Sequence, residues 1–397
     1  MRLGVLSPAL RRRGGIERVP VTQARLLEER GHDVVLVPGF YERSCYPDIL
    51  GGSRVQLKHL DLPLPILRVT VNSTLSTFVS YRYLKNREAF VSHSLSSAYR
   101  VNSKLGIPYV LYVHTIPWHP TRSEAERIDR YFKRAVMIPA DLIHLLFKPV
   151  TGEWERLAIR GAGRILVNSR TTGRQLADMT GRMDYEVCYP AVDLDLATRR
   201  DSRLEQLLRQ RFGLDGNVIL SVSRHNPKKC LHWLPQILHT VMRSVPDAKL
   251  VITGARTVHT SLIDEEIRRW GVGESVVLTG EISERELYSL YHISKVLCLP
   301  SVREDFGLPL VEAMASGCLP VAWNDDAGPS EVIKDGVEGF LSEPYDLAEM
   351  ASRVSAVFQD DSMRGKMSER AVGKGAGFDW RVHMNVLERA VAEVSRR

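Results

Sequence analysis

Short apolar runs alternate with longer amphipathic stretches along most of this 397-residue chain, and that alternation limits the fold more than any single residue does. Leu3–Leu6 reads as a strand, followed by an Arg- and Gly-rich loop through Gly14-Gly15. Helical periodicity then runs from Ile16 to Arg30 and stops at Gly31, a residue suited to a helix C-terminus. Asp33–Val37 is the next strand, which completes a βαβ opening. Tyr109–Val113 and Arg164–Ser169 read as further buried strands. A second series starts at Val218–Val222 and continues through a helix over Leu231–Arg243, a strand at Lys249–Gly254 and a helix over Ser261–Trp270. Ser275–Leu278, Glu284–Tyr291, Lys295–Leu299 and Leu319–Ala322 carry the alternation on. Between the two series, residues 191–216 are charged and hold no clear strand, so they read as a junction.

The expected architecture is α/β, with two doubly wound domains over residues 1–192 and 193–376. Residues 377–397 form an amphipathic helix with Val382, Met384, Val386, Leu387, Ala390 and Val394 on its apolar face. Ligands of doubly wound sheets bind beyond the carboxyl ends of the strands, and two such domains are expected to face a central cleft.

Composition narrows the class of protein. No run of about 18 apolar residues exists, so no membrane span is expected. Met1–Leu10 is too short for a secretory leader and is followed by Arg11-Arg12-Arg13. The five cysteines are scattered without a CxxC or Cys/His cluster, which argues against a zinc site or disulfide framework and for a reducing compartment. Charge is uneven: residues 1–190 hold 28 Lys+Arg against 17 Asp+Glu, a net +11, whereas the remainder is −4. A basic first half suits an anionic membrane surface, a nucleic acid or simply solvated helix faces.

Four constellations carry chemistry. In Pro300–Gly317, a strand is followed by a glycine-containing turn and a helix start, where backbone N–H groups face an anion. Pro309 suits the first helical position, and Glu304 and Glu312 add two carboxylates able to grip hydroxyls. That set suits a diphosphate flanked by two polyols. Arg224 and Lys229 lie five apart across a Pro-containing turn after a strand, a pair of cations for a pyrophosphate, with Lys228 as a competitor for Lys229. Gly14-Gly15 lets the backbone approach a phosphate or sugar, although neither GxGxxG nor GxxxxGK[ST] is present. His114 stands at the end of a strand, facing the expected cleft. Asp193-Leu194-Asp195 spells a DxD string, but its place in the junction favours a structural role.

These residues together resemble glycosyltransferase family 4, retaining enzymes of the GT-B fold. Gly14-Gly15-Ile16-Glu17-Arg18-Val19 is similar to the family's N-terminal glycine motif, and Val167-Asn168-Ser169 to its recurrent Asn-Ser strand end. Glu304 through Ala313 resembles its two-glutamate motif, and Gly328 through Phe340 a later family string. Asp305 departs from the family, which commonly has Gly there. The resemblance implies that Arg224 and Lys229 neutralise the donor diphosphate, that Phe306, Gly307 and Leu308 line it, with the amides of Gly307 and Leu308 offered to a phosphate, that Glu312 holds the ribose, and that Glu304 positions the transferred sugar. Gly14, Gly15 and His114 are implied on the opposite wall. It implies front-face attack with the leaving phosphate taking the acceptor proton, which needs no metal ion or other cofactor. The terminal helix is implied to cross back onto the first domain.

The layout resembles mannosyltransferases that build lipid-linked oligosaccharides, so GDP-mannose is the first expected donor and UDP-hexoses the second. The acceptor is expected to be a glycan or lipid-linked hydroxyl, not a nucleic acid. Within the insert 118–154, apolar and basic residues mix over 130–138 and 142–148, as in a helix lying in a membrane interface or in a core helix pair with basic flanks. A cytoplasmic enzyme, at the membrane face if that insert binds lipid, is the expectation. A nucleotide-sugar epimerase or a non-catalytic nucleotide-sugar-binding subunit are the alternatives. The first would need paired acid and base residues that the sequence does not display, and the second would not need Glu304, Glu312, Arg224, Lys229 and His114 all intact.

Overall fold

The computed structural model describes residues 1–11, 14–62, 68–116 and 152–396. These residues gather into two compact units, one from 1–116, 152–190 and 381–396, the other from 191–380. Most of the insert lies outside the described residues.

The first unit is built on a parallel sheet of β1 (Arg2–Ser7), β2 (Asp33–Pro38), β3 (Gln56–Leu57), β4 (Ala89–Ser92), β5 (Tyr109–Val113), β6 (Arg164–Val167) and β7 (Tyr185–Val187). Its strand order is β3-β2-β1-β4-β5-β6-β7, with Leu3 opposite Val34 on one side and Ala89 on the other. The apolar runs are buried because helices cover both faces of such a sheet. Phe90 and Tyr109 stack with ring centroids 5.0 Å apart in the core, among Leu6, Val35, Leu111 and Ile165. Each such side chain contributes roughly 1.5–3 kcal/mol by leaving water.

The second unit holds β8 (Val218–Val222), β9 (Lys249–Thr253), β10 (Val276–Gly280), β11 (Val296–Leu299), β12 (Leu319–Trp323) and β13 (Phe340–Ser342), in the order β10-β9-β8-β11-β12-β13. In both sheets the chain winds outward from one strand and then returns to wind the other way. The reversal falls between β1 and β4 in the first unit and between β8 and β11 in the second. Loops leaving neighbouring strands diverge at such a point and open a crevice.

The helix Trp380–Ser395 belongs to the first unit, as the sequence led one to expect. Met384, Leu387, Ala390, Val391 and Val394 are buried there, Arg164 pairs with Glu393, and Arg30 and His32 reach Glu388. Several boundaries differ from the sequence reading. The junction 191–216 contains two helices, Leu194–Thr198 and Ser202–Phe212, each started by an aspartate. Asp193 of the DxD string is one of these caps, accepting from the Leu196 amide at 3.0 Å. The helix expected over Leu231–Arg243 is a 3-10 turn, Leu231–Trp233, leading into Leu234–Val241, because Pro235 has no amide to donate and belongs in a first turn. Arg164–Ser169 ends as a strand at Val167, since the Ser169 hydroxyl accepts from the Thr172 amide and starts the helix Arg170–Thr180.

Candidate active site

The two basic and acidic motifs of the second unit meet at its switch point. The loop after β8 carries Arg224, Lys228 and Lys229, and the loop after the neighbouring β11 carries Glu304 and Asp305. Lys229 Nζ lies 2.6 Å from Glu304 Oε2, and Lys228 Nζ lies 3.5 Å from Asp305 Oδ2. Two parallel ion pairs therefore join residues 75 and 77 positions apart. Side-chain exposure is 27% for Lys229 and 13% for Glu304, so water screens this pair less than a surface pair. Burial by itself would raise the Glu304 carboxyl; the Lys229 ammonium, helped by Lys228, outweighs it and holds the group below its ordinary range. Arg224 is exposed on the same loop.

Backbone geometry fixes the acidic loop. Trp323 of β12 is buried and its indole N–H donates to the Pro300 carbonyl at 2.9 Å. Arg303 takes a left-handed conformation, φ +50°, and its amide donates to Asp325 at 2.7 Å. Gly307, φ +85°, caps the helix Leu308–Ala315, a conformation few side chains tolerate. Leu308 is the first helical residue and Pro309 the second, one place later than expected. The first turn follows directly on the ion pairs; Pro309 has no amide N–H and the Leu310 amide donates to the Gly307 carbonyl at 2.8 Å, so it is the Leu308 amide and the ammonium groups that lie in one loop cluster suited to an anion. Gly328 approaches so closely that a Cβ there would lie 2.5 Å from the Phe306 Cα, and its amide donates to the Glu304 carbonyl at 2.8 Å. Glu312 is buried, with Oε2 accepting from the Tyr291 hydroxyl at 2.8 Å.

In the first unit, His114 follows β5 and His93 follows β4, and both are buried. Their rings bond at 2.7 Å, His114 Nε2 to His93 Nδ1. His93 Nε2 reaches Gln23 Oε1 at 2.8 Å, and Gln23 Nε2 reaches His383 Nε2 at 2.9 Å. Asn168 donates to the His114 carbonyl at 2.7 Å, so the Asn-Ser strand end pins the neighbouring strand end. Burial holds the His114 imidazole far below its ordinary value, at about 3. Gly14 is extended and starts the helix Gly15–Glu29, and its carbonyl accepts from the Tyr46 hydroxyl at 3.1 Å.

The chain matches two family descriptions in tandem. Residues 13–196 match "Glycosyltransferase Family 4" and residues 205–373 match "Glycosyl transferases group 1". The chain belongs to glycosyltransferase family 4. Among relatives of this family-4 chain, the alpha-D-kanosaminyltransferase of Streptomyces kanamyceticus is 26% identical over 277 residues, 69% of this chain and 67% of that protein. The D-inositol 3-phosphate glycosyltransferase of Nocardia farcinica is 28% identical over 244 residues, 59% of this chain and 53% of that protein. The chain thus spans about half the length of the inositol-phosphate enzyme it matches. In fold, it is similar to the Anabaena protein HepE solved with UDP and glucose, with a TM-score of 0.79 over 99% of both chains at 18% identity. Its two parallel sheets are those of the GT-B fold.

Within this family-4 chain, Arg224, Lys229, Glu304, Phe306, Gly307, Leu308 and Glu312 lie in the second unit, and Gly14, Gly15 and His114 in the first. Lys229 and Glu304 are brought together; Glu312 is engaged with Tyr291, and the Phe306 ring is buried against Phe378 with centroids 5.7 Å apart. Asp305, unplaced by the sequence, faces Lys228. Gln23, His93, His383, Asp325 and Tyr291 escaped the sequence reading. For His93, the available signal was the short run Ala89–Ser92 ahead of it, now β4.

Proposed function

We propose that this chain is a retaining hexosyltransferase that moves a sugar from a nucleotide-sugar to a hydroxyl of a glycan or lipid-linked acceptor. The observation that carries the proposal is the Lys229–Glu304 pair, 2.6 Å apart at a topological switch point and beside a glycine-capped helix start. A diphosphate is a dianion that needs cations and free amides, and that loop cluster supplies both kinds of group. Arg224 and Lys229 neutralise the departing diphosphate, the main electrostatic contribution to such a transfer. The Gly307 and Leu308 amides and the Phe306 loop hold the phosphates, Glu312 the ribose and Glu304 the hexose. In this division of labour Gly14 and Gly15 also serve donor binding, and His114 serves the transferred sugar and the acceptor. Front-face attack, with the leaving phosphate taking the proton, uses only these groups.

For the donor, a UDP-hexose has better support than GDP-mannose: HepE was solved with UDP and glucose, and the kanosaminyltransferase carries a sugar other than mannose in its name. A panel of UDP- and GDP-sugars with product detection by mass spectrometry tests the proposal. Turnover of a UDP-hexose by the wild type and its loss in Lys229→Ala is the expected result; equal turnover in both would falsify the assignment. No helix among the described residues is long and apolar enough to cross a membrane. The basic first half motivates a peripheral association at a cytoplasmic membrane face, which flotation with anionic liposomes at low salt tests.

A further inference from the structure

Four side chains of the first unit form one run of hydrogen bonds, and the 2.7 Å contact at its far end, shorter than the 3.4 Å approach of Cys188 Sγ to the same nitrogen, decides where every proton sits. The Tyr189 carbonyl oxygen lies 2.7 Å from His383 Nδ1, and a carbonyl can only accept. His383 Nδ1 therefore carries the proton, and Nε2 of that neutral ring is an acceptor. The Gln23 amide nitrogen, 2.9 Å away, donates to it. This turns the Gln23 oxygen toward His93 Nε2 at 2.8 Å, which must be the N–H of that ring. His93 Nδ1 is then a bare lone pair facing His114 Nε2 at 2.7 Å. His114 Nε2 in turn must carry its proton. We infer that His383, Gln23 and His93 form a positioning relay that fixes His114 as the Nε2–H tautomer and leaves its Nδ1 as a proton-free acceptor for a substrate hydroxyl.

The rings have the neutrality that this relay requires. Burial holds His383 at about 4, His114 at about 3 and His93 well below its ordinary value. The relay contains no carboxylate, which would have favoured an imidazolium instead. Its members come from four separate places: Gln23 from the helix Gly15–Glu29, His93 from the loop after β4, His114 from the loop after β5, and His383 from the helix Trp380–Ser395. His114 Nδ1 makes no hydrogen bond among the described residues. A nitrogen of such low basicity is a poor proton store at neutral pH, but a good acceptor for orienting a hydroxyl. That use of Nδ1 rests on the function proposed above; the tautomer itself does not.

Nitrogen-15 imidazole shifts of the uniformly labelled full chain at pH 7.5, assigned with His114→Gln and His93→Gln, test the relay. The expected pattern is Nε2–H at His114 and His93 but Nδ1–H at His383. Nδ1–H at His114 overturns the inference. His383→Leu removes the far end of the relay, and a mixture of tautomers at His114 is expected; an unchanged His114 would sink the relay. If that variant does not fold, the wild-type pattern alone decides. Release of UDP from UDP-glucose and of GDP from GDP-mannose supplies the functional arm. His383→Leu should lower kcat about tenfold, less than the ~10²–10⁴ of a side chain that itself transfers a proton, with donor KM unchanged. An unchanged kcat despite mixed tautomers overturns the link to substrate. A wild type that turns over neither donor while keeping the tautomer pattern counts against the proposed donor, and supports the relay.

Discussion

The two switch points solve one problem with different chemistry. Where β8 and β11 diverge, the second unit sets two lysines against two carboxylates. Where β1 and β4 diverge, the first unit joins neutral histidines and a glutamine through single hydrogen bonds. Ion pairs leave strong fields near a site, which suits a ligand that itself carries charge. A run of neutral rings contributes direction without field, which suits hydroxyl groups.

The comparison breaks most severely at Lys229. Lys229→Ala should lower kcat/KM for the donor by about 10²–10³, the range for loss of one strong electrostatic group, measured by nucleotide release. It also strands Glu304 in a mostly buried place. The expected cost is ~1–3 kcal/mol in urea unfolding, partly regained in the Lys229→Ala/Glu304→Gln double variant. Gly328→Ala attacks the same loop without touching a charge. Its Cβ would meet the Phe306 backbone at 2.5–2.7 Å, so ~2 kcal/mol of stability should be lost with Lys229 and Glu304 both present.

Acid sharpens the contrast. His93, His114 and His383 have folded values depressed below 6.5, so the unfolded chain takes up protons that the folded chain refuses. Their stabilisation is complete above about pH 6.5 and is lost as pH falls toward 3–4, at ~1.4 kcal/mol per pH unit for each ring. The second unit contributes His232 in the same window, also held by burial at about 3. Glu304, depressed from 4.5, begins to cost stability only below that pH. Urea melts from pH 7.5 to 4.5 should therefore show a slope that His383→Gln reduces by about one proton. Lys228→Ala is the mildest test: its 3.5 Å pair with Asp305 should be worth no more than ~1 kcal/mol, and its removal should leave the acid slope unchanged.

Much of the fold was legible because the strands are buried on both faces and read as unbroken apolar runs. Val218–Val222 and Tyr109–Val113 have the bounds read from sequence. Four short strands were not legible. Gln56–Leu57, Ala89–Ser92, Tyr185–Val187 and Phe340–Ser342 are too short for periodicity to register, and their pairing comes from the sheet around them. The candidate site divides along the same line. Lys229, Glu304, Gly307 and Glu312 stand in local motifs, whereas Gln23, His93 and His383 are 70 and 360 positions apart along their hydrogen bonds, a separation that no local pattern encodes. The partner of Asp305 was hidden for the same reason.

The helix Trp380–Ser395 makes the first unit the last to be finished. A ribosome adding 5–20 residues per second needs about 10–40 s after Pro190 to deliver the segment that holds Gln23 and closes the run to His114. During synthesis, therefore, the second unit can complete its core while the first still waits for its tail. A fragment ending at the junction would keep β1–β7 and lose the helix that anchors them.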